Sequence, residues 1–361
     1  MIKYYCINRW NEGDNMTKSE QLLSAFSEDY FFKELVLDDL WFTPPGGTKI
    51  ELADLLINMG DIVVAIQLKE RNEADQTGDP KEEKKWFDDR CKSAKKQVKA
   101  TLQYISTGVL PAFVNKRGQS VSLQSDATVI PLVVFENSQL SDYPPLLRKH
   151  SESGMNINCM SLADYREMCR ILVTPMEIVD YLEYRKEIYE KHGEIDIMIL
   201  EGSENRLVLT RPRKNETLVH QFLVEKYEMK EIADQRLCIQ FFRNFLRLLP
   251  ERTVNCSAAD GTYNVLTFLA HLQRFEVAAF WDGFEETKVE SKQGEYGIRH
   301  SLRNEVSKYT IVFTANGMIP MDVLLPIIRK KTNPLRVLEI EIHWFDDDAF
   351  DIDFLYWDDT K

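Results

Sequence analysis

The chain has 361 residues, 44% of them hydrophobic and 29% charged, with a formal net charge of −13. That length provides cores for about two or three domains, and the acidic balance argues against a nonspecific nucleic-acid coat protein. No apolar run reaches the length of about 18 that a membrane helix needs, and the opening MIKYYCINRWNEGDN lacks the charged-then-apolar layout of a signal peptide, so a cytoplasmic location is expected.

Charge and special residues are distributed unevenly. Residues 1–150 hold 19 Lys+Arg against 22 Asp+Glu, yet the stretch 84–99, KKWFDDRCKSAKKQVK, carries seven basic residues and two acidic ones. One basic face on an acidic chain is thereby expected. The six cysteines show no CxxC or CxxH spacing, which points to reduced packing residues and away from zinc. No histidine precedes His150, so chemistry in the first part of the chain cannot use an imidazole.

In chain order, TKSEQLLSAFS (17–27) predicts a helix with Thr17 as N-cap, Glu20 in the first turn, and Leu22, Leu23, Ala25 and Phe26 on its apolar side. FKELVLDDLWF (32–42) reads as strand or extended chain. Two apolar runs, 52–59 and 62–68, flank Gly60-Asp61 and predict an antiparallel hairpin. The polar stretch ERNEADQTGDPKEEKK reads as an exposed loop. From Trp86 to Ile105 the period is helical, with Ala94, Val98, Leu102 and Ile105 forming a stripe flanked by lysines. ATVIPLVVFEN (127–137) predicts a buried strand whose first half Pro131 confines to an edge or bulge.

Further along, SLADYREMCRIL and TPMEIVDYLEYRKEIYEKHG read as helices, the second opened by a Thr174/Glu177 capping box and closed by Gly193. After about residue 236 come a helix (LCIQFFRNFLRLL), a helix (NVLTFLAHLQRF), a strand (KYTIVFTA), a helix (MDVLLPIIRKK) and a terminal hairpin. The acidic run 344–359 lacks the Gly and Glu of an EF-hand and reads as strand alternation with a charged turn protecting a sheet edge. The organisation expected is α/β: a mixed sheet flanked by helices over 1–150, a helical connecting region over 151–235, and a C-terminal α+β domain over 236–361.

The hairpin carries residues that a plain core would not. With a two-residue loop at Gly60-Asp61, opposite residues have numbers summing to about 121, which sets Asp54 across from Gln67. Strand pleating then puts Asp54 on the same face as Gln67 and Lys69. Burying a carboxylate and an ammonium costs several kcal/mol each unless they are paired or bound to a metal, at roughly this order. Either a structural Asp54–Lys69 pair or a divalent-metal site answers that cost.

With Glu20 upstream, the order Glu, Asp, Gln-x-Lys resembles the PD-(D/E)xK restriction-endonuclease-like superfamily in its QxK, Mrr-like variant, over roughly residues 18–137. Ala53 stands where the family name has Pro, and Gln67 where it has an acid. The resemblance implies a metal-dependent endonuclease with Glu20, Asp54, Gln67 and Lys69 as catalytic residues. It implies Mg²⁺ or Mn²⁺ held by Glu20, Asp54, Gln67 and the backbone carbonyl of Leu68. Lys92, Lys95, Lys96, Gln97 and Lys99 would contact nucleic acid, DNA in preference to RNA. The role implied is that of an effector in prokaryotic anti-phage defence, compatible with a homodimer and with a protein partner on the acidic C-terminal section. The alternative is a catalytically inactive sensor or binding subunit that keeps the fold.

Overall fold

The computed structural model describes residues 17–140, 146–149, 154–172, 174–192, 215–227, 242, 244–246, 254–256, 261–304, 308–345 and 349–359. Its class is α/β, built on two mixed sheets. Among the described residues no helix is long and apolar enough to cross a membrane. The predicted helix 237–249 lies mostly outside the described residues, as does Gly193.

The first part begins with α1 (Lys18–Phe31), capped by Thr17, and runs through β1 (Val36–Leu37), β2 (Trp41–Phe42), β3 (Ile50–Glu51), β4 (Leu55–Asn58) and β5 (Ile62–Glu70). Next come α2 (Pro80–Thr107), β6 (Phe113–Val114), β7 (Ser120–Val121), β8 (Thr128–Glu136), β9 (Leu146–Lys149) and β10 (Asn156–Ser161). Six strands form the sheet β1-β4-β5-β8-β10-β9, with β4–β5 antiparallel and β5–β8–β10 parallel. The ladder from β10 to β8 starts at Leu132. Pro131, which has no N–H to donate, therefore sits one residue before that pairing begins.

Helix α2 starts earlier than its apolar stripe suggests. Asp79 caps it by accepting from Lys81 N at 2.9 Å, Pro80 takes the first position, and Gly108 ends it in the left-handed region at φ 65°. The segment expected to be an exposed loop thus holds the first turn of a helix. Its buried Glu83 pairs with Arg71 at 2.8 Å and accepts from Asn137 Nδ2 at 2.8 Å. Phe87, Cys91, Ala94, Val98, Thr101 and Ile105 face the sheet. On α1 the buried side is Ser19, Leu23, Ser24, Ser27 and Phe31, while Leu22 and Ala25 are exposed. Three small serines let that helix lie close to its neighbours, and Ser27 Oγ meets the buried Tyr165 hydroxyl at 2.8 Å.

The sheet does not stop at residue 150. Strand β10 pairs with β8 beyond that point, and α3 (Leu162–Ile171) and α4 (Pro175–His192) pack against the same layer. The expected boundary between a domain 1–150 and a helical connector 151–235 therefore falls inside a sheet: the six-residue run NINCMS is buried throughout and completes it. Helix α5 (Asn215–Tyr227) follows.

The second sheet is β11-β15-β14-β13-β12, from β11 (Val254–Cys256), β12 (Gly297–Asn304), β13 (Tyr309–Ala315), β14 (Arg336–Trp344) and β15 (Phe350–Asp358). Helices α6 (Gly261–Ala270) and α7 (Arg274–Lys292) precede β12, and α8 (Met321–Arg329) connects β13 to β14. Three of these elements, β11, α7 and β12, have no counterpart in the sequence expectation. Strand β15 is paired along its length with β14 and, at Phe354–Tyr356, with β11, so that part of the acidic run lies inside the sheet and not at its edge; the turn 346–348 lies outside the described residues. One apolar cluster is continuous from Leu23 through Phe222, Phe268 and Phe280 to Tyr356, joining both sheets in a single core. Within it the buried Arg274 pairs with the buried Glu177 at 2.7 Å.

Candidate active site at the β4–β5 hairpin

The hairpin register follows from the turn. Leu55 pairs with Ile66, Leu56 with Ala65, Ile57 with Val64 and Asn58 with Val63, the pairing that a loop at Gly60-Asp61 sets. Gly60 has φ 89°, and a Cβ there would meet Thr267 of α6 at 3.3 Å, so both backbone and space favour glycine. Leu55, Ile57, Val64, Ile66 and Leu68 join the core on the α1 side. Leu56, Val63 and Ala65 face the α2 side, and alternation places Gln67, Lys69 and Arg71 with them.

Asp54 lies at a bend just before β4 rather than within the strand. Its Oδ2 accepts from Leu68 N at 2.6 Å, and Lys69 Nζ stands 3.6 Å from the same oxygen. Lys69 Nζ also donates to Leu68 O at 2.8 Å and to Gln67 Oε1 at 3.4 Å. Gln67 is buried at 3% exposure. One ammonium is thus surrounded by a carboxylate oxygen, an amide oxygen and a backbone carbonyl. Asp54, Gln67, Leu68 and Lys69 come together.

Glu20 reaches this place differently. It sits in the first turn of α1, where Thr17 N donates to its Oε2 at 2.6 Å and Thr17 Oγ1 accepts from Glu20 N at 3.3 Å. A capping box engages one of its oxygens. Its charge nonetheless acts on Asp54 and on Glu51. Glu20, Glu51 and Asp54 do not close as a group to within 4.8 Å of one another.

Glu51 is the acidic neighbour that sequence reading missed. It stands at the end of β3, three residues before Asp54, and its partial burial, then Asp54, then Glu20 push its carboxyl up to about 7. Burial also raises Asp54, against the opposing pull of Lys69 and of the Leu68 N–H. The detectable signal was the spacing Glu-x-x-Asp across the chain's return from β3 to β4. Three carboxylates that act on one another and a single ammonium leave an excess of negative charge that a divalent cation would relieve.

The basic helix divides into two parts. Lys92, Lys96, Gln97 and Lys99 are exposed and Lys95 is half-buried, and Lys92 pairs with Asp89 at 3.3 Å. Nearer the strand, a cleft of about 380 Å³ is lined by Arg71, Glu82, Lys85, Trp86, Asp89 and Arg90. Arg71, two residues beyond Lys69 on the same face, lies over the Trp86 ring at 5.7 Å. Comparison with protein-family models, curated proteins and solved structures gives no match. The chemistry is read from these residues alone.

Proposed function

We propose that this chain is a divalent-metal-dependent nuclease whose site is Asp54, Gln67 and Lys69 with Glu20 and Glu51 beside them. The observation that carries the reading is the seat of Lys69 Nζ among Asp54 Oδ2, Gln67 Oε1 and Leu68 O. The ammonium occupies the place that a hard cation would take, and the oxygens around it are the kind that Mg²⁺ or Mn²⁺ takes. Asp54, Gln67, Leu68 O and one of the flanking glutamates would hold the ion. When bound, the ion would polarise a phosphoryl oxygen and lower the pKa of a water.

The protein's own groups do the rest. Leu68 N fixes the Asp54 carboxylate through its 2.6 Å bond, so the ligand oxygen is oriented by backbone. Lys69, released from Gln67 and Leu68, offsets negative charge building on the phosphate. Arg71, Lys85 and Arg90 line the adjoining cleft, and Trp86 offers a face on which a base can stack. DNA is the substrate we favour, with Lys92, Lys95, Lys96, Gln97 and Lys99 along its backbone path, and binding that weakens as salt rises. A role as effector in prokaryotic defence, as a cytoplasmic protein and as a homodimer accompanies this reading.

One observation favours a second reading. Lys69 already satisfies the oxygens around it, as an ion pair retained in an inactive sensor would. Incubation with plasmid, linear and single-stranded DNA and with RNA, with and without Mn²⁺, separates the two. Metal-dependent cleavage that disappears in Asp54→Asn is the expected result; no cleavage of any substrate, with no Mn²⁺ binding that depends on Asp54, would leave only the sensor.

A further inference from the structure

The β14–β15 hairpin holds a second constellation, remote in sequence from the first and independent of it. On β14, Leu338, Ile340 and Ile342 point into the core. Alternation puts Glu339, Glu341 and His343 on the opposite face. In the antiparallel register Glu341 is opposite Asp353 and His343 is opposite Asp351, so an imidazole and further carboxylates share one side. Helix α8 covers the Val337 end of this face through Leu324 and Ile328. Glu341, His343 and Asp353 remain half-exposed beyond it.

Ligand atoms of Glu341, His343 and Asp353 all lie within 4.8 Å of one another, with His343 Nδ1 3.9 Å from Glu341 Oε1. Among the described residues no lysine or arginine forms an ion pair with Glu341 or Asp353. Two buried polar atoms add to this. Glu339 is fully buried; its Oε1 accepts from Thr314 Oγ1 at 3.0 Å and from Ile319 N at 2.7 Å, while its Oε2 has no hydrogen-bond partner. His343 Nδ1 is likewise shielded from solvent and makes no hydrogen bond. Native chains seldom leave such atoms unsatisfied, and an unseen ion is one of the standard explanations.

We propose that Glu341, His343 and Asp353 form a binding site for a first-row divalent transition ion, with Glu339 as the buried carboxylate behind it. The donor set selects the metal. One imidazole and two carboxylates, leaving open positions, suit Zn²⁺ or Mn²⁺, whereas Mg²⁺ prefers oxygen ligands and retained waters. Held across two strands, the ion would cross-link the hairpin.

The test is calorimetric titration of Zn²⁺ into the full chain and into Asp54→Asn, His343→Gln and Asp353→Asn. The wild type is expected to show a one-equivalent component for this site that persists in Asp54→Asn, whatever zinc the first hairpin takes up. Affinity should fall about 100-fold or more in the other two, since losing an outer partner of a ligand alone costs about 10–100-fold. An unchanged isotherm in His343→Gln and Asp353→Asn would overturn the proposal. A loss confined to Asp54→Asn would place the zinc at the first hairpin and overturn it too. Should either variant fail to fold, Cu²⁺ with ascorbate on the wild type gives a second measurement by peptide mass spectrometry. Oxidation concentrated at His343 and suppressed by Zn²⁺ supports the site; oxidation spread equally over His271, His300 and His343 refutes it.

Discussion

Two hairpins in this protein gather acids on one face of a strand pair, and they neutralise them by opposite means. At β4–β5 an internal ammonium, Lys69, stands 3.6 Å from Asp54, and the charges of Glu51 and Glu20 act on the same place from farther off. At β14–β15 the acids Glu341 and Asp353 lie beside the imidazole of His343, and among the described residues no lysine or arginine pairs with them. A hairpin that supplies its own cation folds without help and must move that cation aside to load a metal. A hairpin without one keeps the repulsion between its acids in the metal-free chain.

That contrast can be broken most directly by activity. Asp54→Asn should reduce metal-dependent phosphodiester cleavage by about 10³-fold, the scale for removing one group that positions or stabilises charge in the transition state, while Asp353→Asn leaves the rate within about twofold of wild type. Equal losses in a plasmid-nicking assay would show that the two hairpins serve one reaction. Next in size is stability. Lys69→Met removes the one ammonium from among the acids and should cost on the order of 2–3 kcal/mol in urea denaturation, approaching the loss on breaking a buried pair. Glu341→Gln relieves repulsion from Asp353 and should be neutral or stabilising in metal-free protein. A destabilising Glu341→Gln would contradict the contrast.

Acid titration gives a smaller effect. Glu51 is pushed from 4.5 up to about 7 by burial, Asp54 and Glu20, so the folded chain keeps a proton that the unfolded chain has released across that interval. Stability therefore falls as pH rises from about 4.5 to about 7 and is flat beyond it. Thermal melts of Glu51→Gln between pH 4.5 and 7.5 should lose part of this fall. Glu339 on the other hairpin, pushed to about 7 by its own burial, contributes to what remains. The smallest effect is at the turn. Asp61 is held below its ordinary value chiefly by the hydrogen bond with His271 at 2.8 Å, so its contribution is present at neutral pH and lost on acidification. Asp61→Asn should lower stability by at most about 1 kcal/mol, the range of an exposed pair.

Much of the first hairpin was legible because its information is local. A Gly-Asp turn sets the register, the register sets the faces, and the faces bring Asp54, Gln67 and Lys69 together. The Thr17 cap and Thr174 Oγ1, which accepts from Glu177 N at 3.2 Å, were readable for the same reason. What escaped depends on contacts distant in sequence. Glu51 looked like an ordinary polar residue because its neighbours Asp54 and Glu20 arrive by folding. The first turn of α2 was hidden under charges, though Asp79-Pro80 is a helix start, and Glu83 is buried only because Arg71 and Asn137 reach it. The boundary at residue 150 failed because β10 returns to pair with β8. The grouping of Glu341, His343 and Asp353 is not visible in strand alternation alone, because it needs the register that sets Glu341 opposite Asp353 across two strands.

The turn at Gly60-Asp61 is gripped by the second half of the chain. Thr267 presses on Gly60, His271 holds Asp61, and Tyr263 Oη donates to Asn58 O at 3.4 Å. A protein cut back to its first sheet would lay this grip bare, leaving Val265, Leu266 and Leu269 without a role and their counterparts in the core open to aggregation. In the whole chain the same grip ties α6, through the turn, to the short strand β4 that begins one residue after Asp54.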